Sequence, residues 1–173
     1  LVRTPDGIVL VQRPVRELDA VRGEARGVRG REALGGAAEI ELELPKDGWQ
    51  MAGFRLSNDS GEEVTVGVTA EPFEVFVDRR RSRRTAFHEA YPERHAAPLR
   101  RTGRNVTLQA IVDRTTLEVF ANGGETVISD RLFPTRPLDR LEPLDDGGSK
   151  SPRLILRDLT PRSSRRTATG GDQ

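Results

Sequence analysis

The chain has 173 residues, 35% of them hydrophobic and 32% charged, with a formal net charge of +1. That length carries one ordinary domain with a core of its own, and a charge this close to zero argues against a surface that grips nucleic acid throughout. Cysteine is absent, which excludes disulfides, thiolate metal sites and a cysteine nucleophile, and no apolar run approaches the ~20 residues a helix needs to cross a bilayer.

The first residue is Leu1, and residues 1–12 already read as part of a fold. The expectation is a fragment of a longer polypeptide, in which a missing signal-peptide pattern carries no information. An apolar run at residues 7–11 reads as a short strand. After Pro14, the spacing of Val15, Leu18 and Val21 predicts a helical turn or two covering the body of the domain.

Alternation of period two then takes over. Ala38, Ile40, Leu42 and Leu44 point one way while Glu39, Glu41 and Glu43 point the other, as on a strand with one wet face. Lys46-Asp47-Gly48 turns the chain into a run at residues 51–56, and Asn58-Asp59-Ser60-Gly61 turns it again. Rows at Val64, Val66 and Val68 and at Phe73, Val75 and Val77 follow. Residues 79–104 are arginine-rich, contain Pro92 and Pro98, and are expected to be a long surface loop.

Beyond that loop, Val106, Leu108, Ala110 and Val112 form one row and Leu117, Val119 and Ala121 another. Asn122-Gly123-Gly124 reads as a hairpin turn into residues 126–129, and residues 154–156 supply a last apolar run. Residues 161–173 hold Ser, Arg, Thr and Gly without an apolar anchor, so a disordered tail is expected. Many short alternating strands divided by turns predict an all-β fold of two packed antiparallel sheets, a β-sandwich of concanavalin-like jelly-roll type over residues 1–160.

Several motifs, taken in order, resemble one family. Residues 6–12 running into residues 13–18 are similar to the segment where the catalytic propeller of glycoside hydrolase family 32 (invertases, levanases and inulinases) hands over to its C-terminal β-sandwich. Phe73 to Arg79 followed by Ser82 resembles that family's strand ending in an Asp-Arg pair. The stretch from Asp113 to Phe120, Asp-Arg-Thr-Thr-Leu-Glu-Val-Phe, is the most specific piece. Leu132-Phe133-Pro134 fits a closing strand. The chain departs from the pattern in its arginine run, Arg79-Arg80-Arg81-Ser82-Arg83-Arg84, and in the length of residues 139–150.

The resemblance implies a non-catalytic module. The family's nucleophile lies in a Trp-Met-Asn-Asp-Pro-Asn-Gly type motif that nothing here matches, its acid/base Glu lies in a Glu-Cys pair, and no Arg-Asp-Pro triplet is present. The implied role is packing against and stabilising a catalytic β-propeller elsewhere in the parent polypeptide. The resemblance also tilts the expected location toward the cell exterior.

Two other functions follow from particular residues. Some sandwich modules of this type bind the terminal fructose of levan, so Asp113, Arg114, Glu118 and Asp78 are candidate fructan ligands, since sugars are held by converging carboxylates and guanidinium groups. Asp113 and Glu118 could also be the carboxyl pair of a stand-alone glycosidase, which requires separations of ~5 or ~6.5–9.5 Å, although a turn cap for Asp113 and a sheet-face ion pair for Glu118 are the plainer readings. Trp49 is either a stacking platform or a core plug.

His88 and His95 fit no zinc spacing, so no metal or cofactor is expected, and they read as solvated surface residues. The arginine run has no interleaved aromatics to suit nucleic acid and reads as a solvated loop or a propeller contact. Asn58-Asp59-Ser60 and Asn105-Val106-Thr107 have the form of glycosylation acceptors.

Overall fold

The computed structural model describes residues 1–4, 7–82, 94–101, 104–145 and 152–160. Fourteen strands run in chain order: β1 (Val2–Thr4), β2 (Gly7–Val9), β3 (Arg26–Val28), β4 (Glu32–Ala33), β5 (Ala38–Leu44), β6 (Met51–Ser57), β7 (Glu63–Thr69), β8 (Glu74–Asp78), β9 (Arg94–Pro98), β10 (Val106–Asp113), β11 (Thr116–Ala121), β12 (Thr126–Arg131), β13 (Arg140–Asp145) and β14 (Arg153–Asp158). Strands β12-β11-β10-β5-β14-β3 make one six-stranded sheet and β4-β13-β6-β7-β8-β9 a second, both antiparallel throughout. Strands β1 and β2 form a separate hairpin. The expected two-sheet all-β sandwich is the architecture found.

Alternation explains why these segments pair as they do. Ala38, Ile40, Leu42 and Leu44 are no more than 2% exposed, and Val106, Leu108, Ala110, Leu117 and Val119 join them from the same sheet. Phe54, Leu56, Val64, Val66, Val68, Val75 and Val77 face them from the second sheet, and all form one continuous core. Trp49 plugs its end: the indole is buried, donates its N–H to the Pro45 carbonyl at 2.6 Å, and lies 6.5 Å from the Phe73 ring. Of its two readings the core plug is the one realised.

Four features differ from the sequence reading. The helical segment is a 3₁₀ turn at Arg16–Ala20 with no buried residue. Within the expected loop, Arg94–Pro98 is an edge strand on β8, with Leu99 buried behind it; its run Arg-His-Ala-Ala-Pro hides the pattern, and Pro98 at its end suits an edge. Residues 83–93 of that loop, including His88, Arg83 and Arg84, lie outside the described residues, as does the tail 161–173.

Strand β13 falls in residues 139–150, where no strand was expected, and carries Pro143 opposite Phe54, a residue type that strand interiors ordinarily exclude. Because β4 pairs only with Arg140 and Leu141, Pro143 sits where the missing N–H disrupts no ladder on that side. Finally, Glu39 points to the outer face as its position requires, yet it is fully buried. Arg22 covers it with a fork, Nε and Nη2 each donating to one carboxylate oxygen at 2.7 Å.

Two local devices hold the second sheet. Gly53 and Gly67 are register partners, and a Cβ on Gly53 would come within 2.1 Å of the Val66 carbonyl oxygen, while one on Gly67 would meet the Phe76 ring at 2.9 Å. The ring therefore lies over bare backbone, capped by the Arg94 guanidinium 4.3 Å from its centroid. At the sheet's end the fully buried Glu62 accepts Asn58 Nδ2 at 2.6 Å and the Thr135 N–H at 2.9 and 3.0 Å, while Asn58 Oδ1 accepts the Ser60 and Glu62 N–H groups. With both ends of its amide committed and its side chain buried, Asn58 is no glycan acceptor.

Two expected outcomes follow. Gly53→Ala should lower stability by about 3 kcal/mol in denaturant titration, because the obstruction is backbone and cannot rotate away. Burial raises the Glu62 pKa, but hydrogen bonds from Asn58, Thr135 and Arg136 outweigh it and hold the carboxyl below its ordinary 4.5. A depressed folded-state pKa stabilises the fold above the ordinary value and loses that contribution as pH falls through the lowered one. The melting temperature should therefore drop on acidification below about pH 4.5, and Glu62→Gln should be less stable at pH 7 but show a flatter acid limb.

Candidate functional site

Three places on the described surface bring chemistry-bearing residues together. The first is the outer face of the six-stranded sheet that contains β5. Register sets its rows: Ser129, Glu118, Ile111, Glu39 and Arg157 run across it, and beside them run Val127, Phe120, Gln109, Glu41 and Ile155. Thr107, Glu43 and Arg153 form the next row. A shallow groove of about 320 Å³ opens over these last two rows. Around it Gln109 Nε2 donates to Glu39, Arg157 pairs with Glu41 at 2.7 Å, and Asn105 Nδ2 donates to Glu43 at 2.9 Å.

The second place is a cluster of Arg79, His95 and Asp130 at the seam where β8 and β9 meet β12. Asp130 and Arg79 are buried, and His95 Nδ1 lies 2.7 Å from Asp130 Oδ1. Arg79 Nη2 lies 3.3 Å from His95 Nε2, and Arg79 Nη1 donates to the Arg131 carbonyl at 2.9 Å. Arginine can only donate, so Nε2 is the acceptor and Nδ1–H points at Asp130. An aspartate orienting a histidine resembles a general-base pair, but here the nitrogen that would take a proton is occupied by Arg79. The cluster is a bracket between the two sheets.

The third place is the β1–β2 hairpin. Val2 pairs with Val9 and Arg3 with Ile8. Val9 is buried at 8% exposure, whereas Leu1, Val2, Ile8, Leu10 and Val15 are exposed by 43–88%. The hairpin is anchored through the Gln12 N–H, which donates to the Gly124 carbonyl at 3.0 Å in the β11–β12 turn. Gly124 has φ +92° and lies so close that a Cβ would sit 1.6 Å from the Gln12 carbonyl oxygen. Both its conformation and this contact require glycine.

Of the four residues singled out in the sequence, Asp113, Arg114 and Glu118 share the β10–β11 hairpin and Asp78 lies apart from them in the other sheet. Asp78 lies on β8 in the second sheet, half-buried, and is engaged by Arg80, whose Nε and Nη2 both donate to it. That hydrogen bonding outweighs burial and lowers the Asp78 pKa. Asp113 is exposed and accepts the Arg114 N–H at 2.8 Å, the plain turn cap. Glu118 is exposed on the other strand of that hairpin, diagonal to Asp113, a placement that puts Cα atoms ~7–8 Å apart. Neither lines the 320 Å³ groove.

The described arginines of the run each have a partner: Arg79 in the bracket, Arg80 on Asp78, and Arg81 on Glu63 at 3.0 Å. His95 is half-buried in the bracket and is not the solvated residue expected. No motif marks Gln109, Glu41 and Arg153, or Asp130 of the bracket, because each grouping depends on strand register.

Residues 15–161 match the family described as glycosyl hydrolases family 32 C terminal. The chain belongs to glycosyl hydrolase family 32, as its C-terminal domain. It is 37% identical to a levanase of Bacillus sp. (strain L7) over 78% of its length, and 31% identical to a levanase of Bacillus subtilis (strain 168) over 89%. These alignments cover 16% and 25% of the two relatives, so the chain spans a quarter or less of their length.

Among solved structures, the exo-inulinase of Aspergillus awamori superposes with a TM-score of 0.81 at 21% identity, covering 91% of this chain and 34% of that one. The sucrose-6-phosphate hydrolase of Lactobacillus gasseri gives 0.71 at 20% identity, covering 88% and 31%. At those identities the likeness concerns the fold.

For this family 32 domain the bracket is a matter of stability. Arg79→Ala would leave the buried Asp130 carboxylate without its cation and His95 without a donor. It should cost about 3–5 kcal/mol in chemical denaturation, whereas Arg80→Ala, at an exposed pair, should cost less than about 1 kcal/mol.

Proposed function

We propose that this domain is a non-catalytic docking module of a larger hydrolase acting on fructans or sucrose-type sugars, and that its hairpin packs against that enzyme's catalytic β-propeller. The observation that carries this reading is the apolar face that the β1–β2 hairpin leaves exposed. Residues 1–14 precede the segment matched to the family domain, stand outside both sheets, and expose Leu1, Ile8 and Leu10 by 63–88%. Alternation puts Ile8 on the face opposite the buried Val9, and its continuation carries Leu1 and Leu10 to the Ile8 side. An apolar face displayed this way is a surface awaiting a partner, and interdomain contacts of this kind bury about 600–1,500 Å².

Catalysis by the module itself finds little support. Asp113 caps its own turn, Glu118 stands in open solvent, and the histidine of the bracket has its acceptor nitrogen filled. The fructan assignment rests on kinship with proteins named levanases and with a sucrose-6-phosphate hydrolase of Salmonella typhimurium, 38% identical over 72% of this chain.

A chimera tests the reading. The chain would replace the corresponding C-terminal segment of the Bacillus subtilis levanase. The expected product melts in one transition and hydrolyses levan, while the 173-residue chain by itself releases no fructose. Introducing Ile8→Asp with Leu10→Asp should split the melting profile and lower activity at least about tenfold, a loss of roughly 1.4 kcal/mol or more. Fructose release by the chain alone, or a double variant indistinguishable from the parent chimera, would refute the docking role.

A further inference from the structure

We propose that the basic pocket beside Phe73, at the end of the sandwich, binds a phosphoryl group through Lys46, Arg100, Arg101 and Arg104. The ligand is orthophosphate or a phosphate monoester, and the binding is independent of the docking role.

Three connections meet at this pocket. The β5–β6 turn brings Lys46, the β9–β10 connection brings the three arginines, and the β11–β12 turn brings Asn122. Phe73 and Val106 supply the apolar part of the lining. The cavity measures about 140 Å³, below the ~300–1,000 Å³ usual for sites that enclose a whole small molecule. That space suits one compact head group.

Charge selects the sign of the ligand. Four cations and no carboxylate line the pocket among the described residues. Carboxylates stand at its margin: Glu71 lies 4.0 Å from Arg101, Glu43 accepts Asn105 Nδ2 at 2.9 Å, and Asp47 follows Lys46. Counting all three against the four cations still leaves the site positive, and the cations are the charges that line it.

The donors are partly set in place and partly unspent. Arg101 Nη2 donates to the Ala70 carbonyl at 2.7 Å, and its guanidinium lies 4.4 Å from the Phe73 ring centroid, so this side chain is already oriented. Asn122 Oδ1 accepts the Thr107 N–H at 3.3 Å, which leaves Nδ2 to donate. Lys46 and Arg104 are exposed and have no hydrogen-bond or ion-pair partner among the described residues. All their donors therefore remain for a ligand.

Donors drawn from three connections suit a tetrahedral oxyanion, which accepts on every side, better than a flat carboxylate with two oxygens. Guanidinium forks match phosphate oxygens two at a time, and a dianion gains more from four cations than a monoanion does. A phosphoryl group held here also ties the three connections together, so binding stabilises the fold by mass action.

The test is calorimetric titration of the 173-residue chain at neutral pH and fixed ionic strength, with orthophosphate, glycerol 3-phosphate and acetate. Saturable binding of at least one phosphate ligand is expected, with acetate at least about tenfold weaker. Arg104→Gln should weaken phosphate binding about tenfold, and Lys46→Gln several-fold. Neither side chain holds anything else among the described residues, so melting without ligand should match the parent chain and verify both folds. Phosphate should raise the melting temperature of the parent chain more than that of Arg104→Gln. Tighter binding of the ester assigns a phosphorylated molecule as the ligand, and equal or tighter binding of orthophosphate assigns the free ion. Absence of saturable heat with both phosphate ligands would overturn the proposal, as would acetate binding as tightly as phosphate. Phosphate binding unchanged in both variants would overturn it as well, by moving the site away from this pocket. These outcomes are read on the isolated chain, so they are distinguishable from failure of the chimera.

Discussion

The fork between Arg22 and Glu39 fixes the relation between the entering chain and the sandwich. A carboxylate in the middle of a sheet's outer face would ordinarily stand in water. Here it is fully buried, a situation that is tolerable only with charge and hydrogen-bond partners in place. Arg22 supplies both, Gln109 adds a third donor, and Arg157 stands 3.7 Å away. Because Arg22 comes from the segment before β3, the fork ties that segment to β5. Around it Gly23 N–H donates to the Asp158 carbonyl and Thr160 N–H to Val21, so both ends of the domain are stitched at one spot.

What surrounds the fork depends on it. The 3₁₀ turn buries nothing by itself, so its position comes from the residues after it rather than from its own packing. The hairpin before it has a second anchor, Gln12 on Gly124, and between these two points the chain has little freedom to present its apolar face elsewhere. The same carboxylate holds Gln109, a residue of the neighbouring groove, by one end of its amide. One buried charge thus links the route of the linker to the polarity of the neighbouring surface.

Much of the sandwich was legible in the sequence, for a reason that also marks the limit. Period-two alternation identifies a strand whenever one face is buried and the other wet, and β5, β7, β10 and β11 satisfy that rule. It fails where the outer face is also covered or the strand lies at an edge. Strand β9 reads as polar because it is an edge paired on one side, and β13 is disguised by Pro143 in a gap left by the short β4. Glu39 follows the alternation in direction and breaks it in burial, since its cover comes from a residue seventeen positions away.

The candidate site was harder to see, and the reason is again register. Asp113, Arg114 and Glu118 lie close in sequence and form a conspicuous motif, but Asp113 is spent on capping its own turn and Glu118 stands exposed on the facing strand. Gln109, Glu41 and Arg153 are separated by up to 112 positions and come together because β10, β5 and β14 are neighbours in one sheet. A binding surface on a sheet face is assembled at right angles to the chain, so a motif read along the chain samples one strand of it at a time. His95 and Asp130 illustrate the same point at the seam between the sheets. Each looks unremarkable in its own strand, and the bracket they form with Arg79 exists only once two edges are brought together.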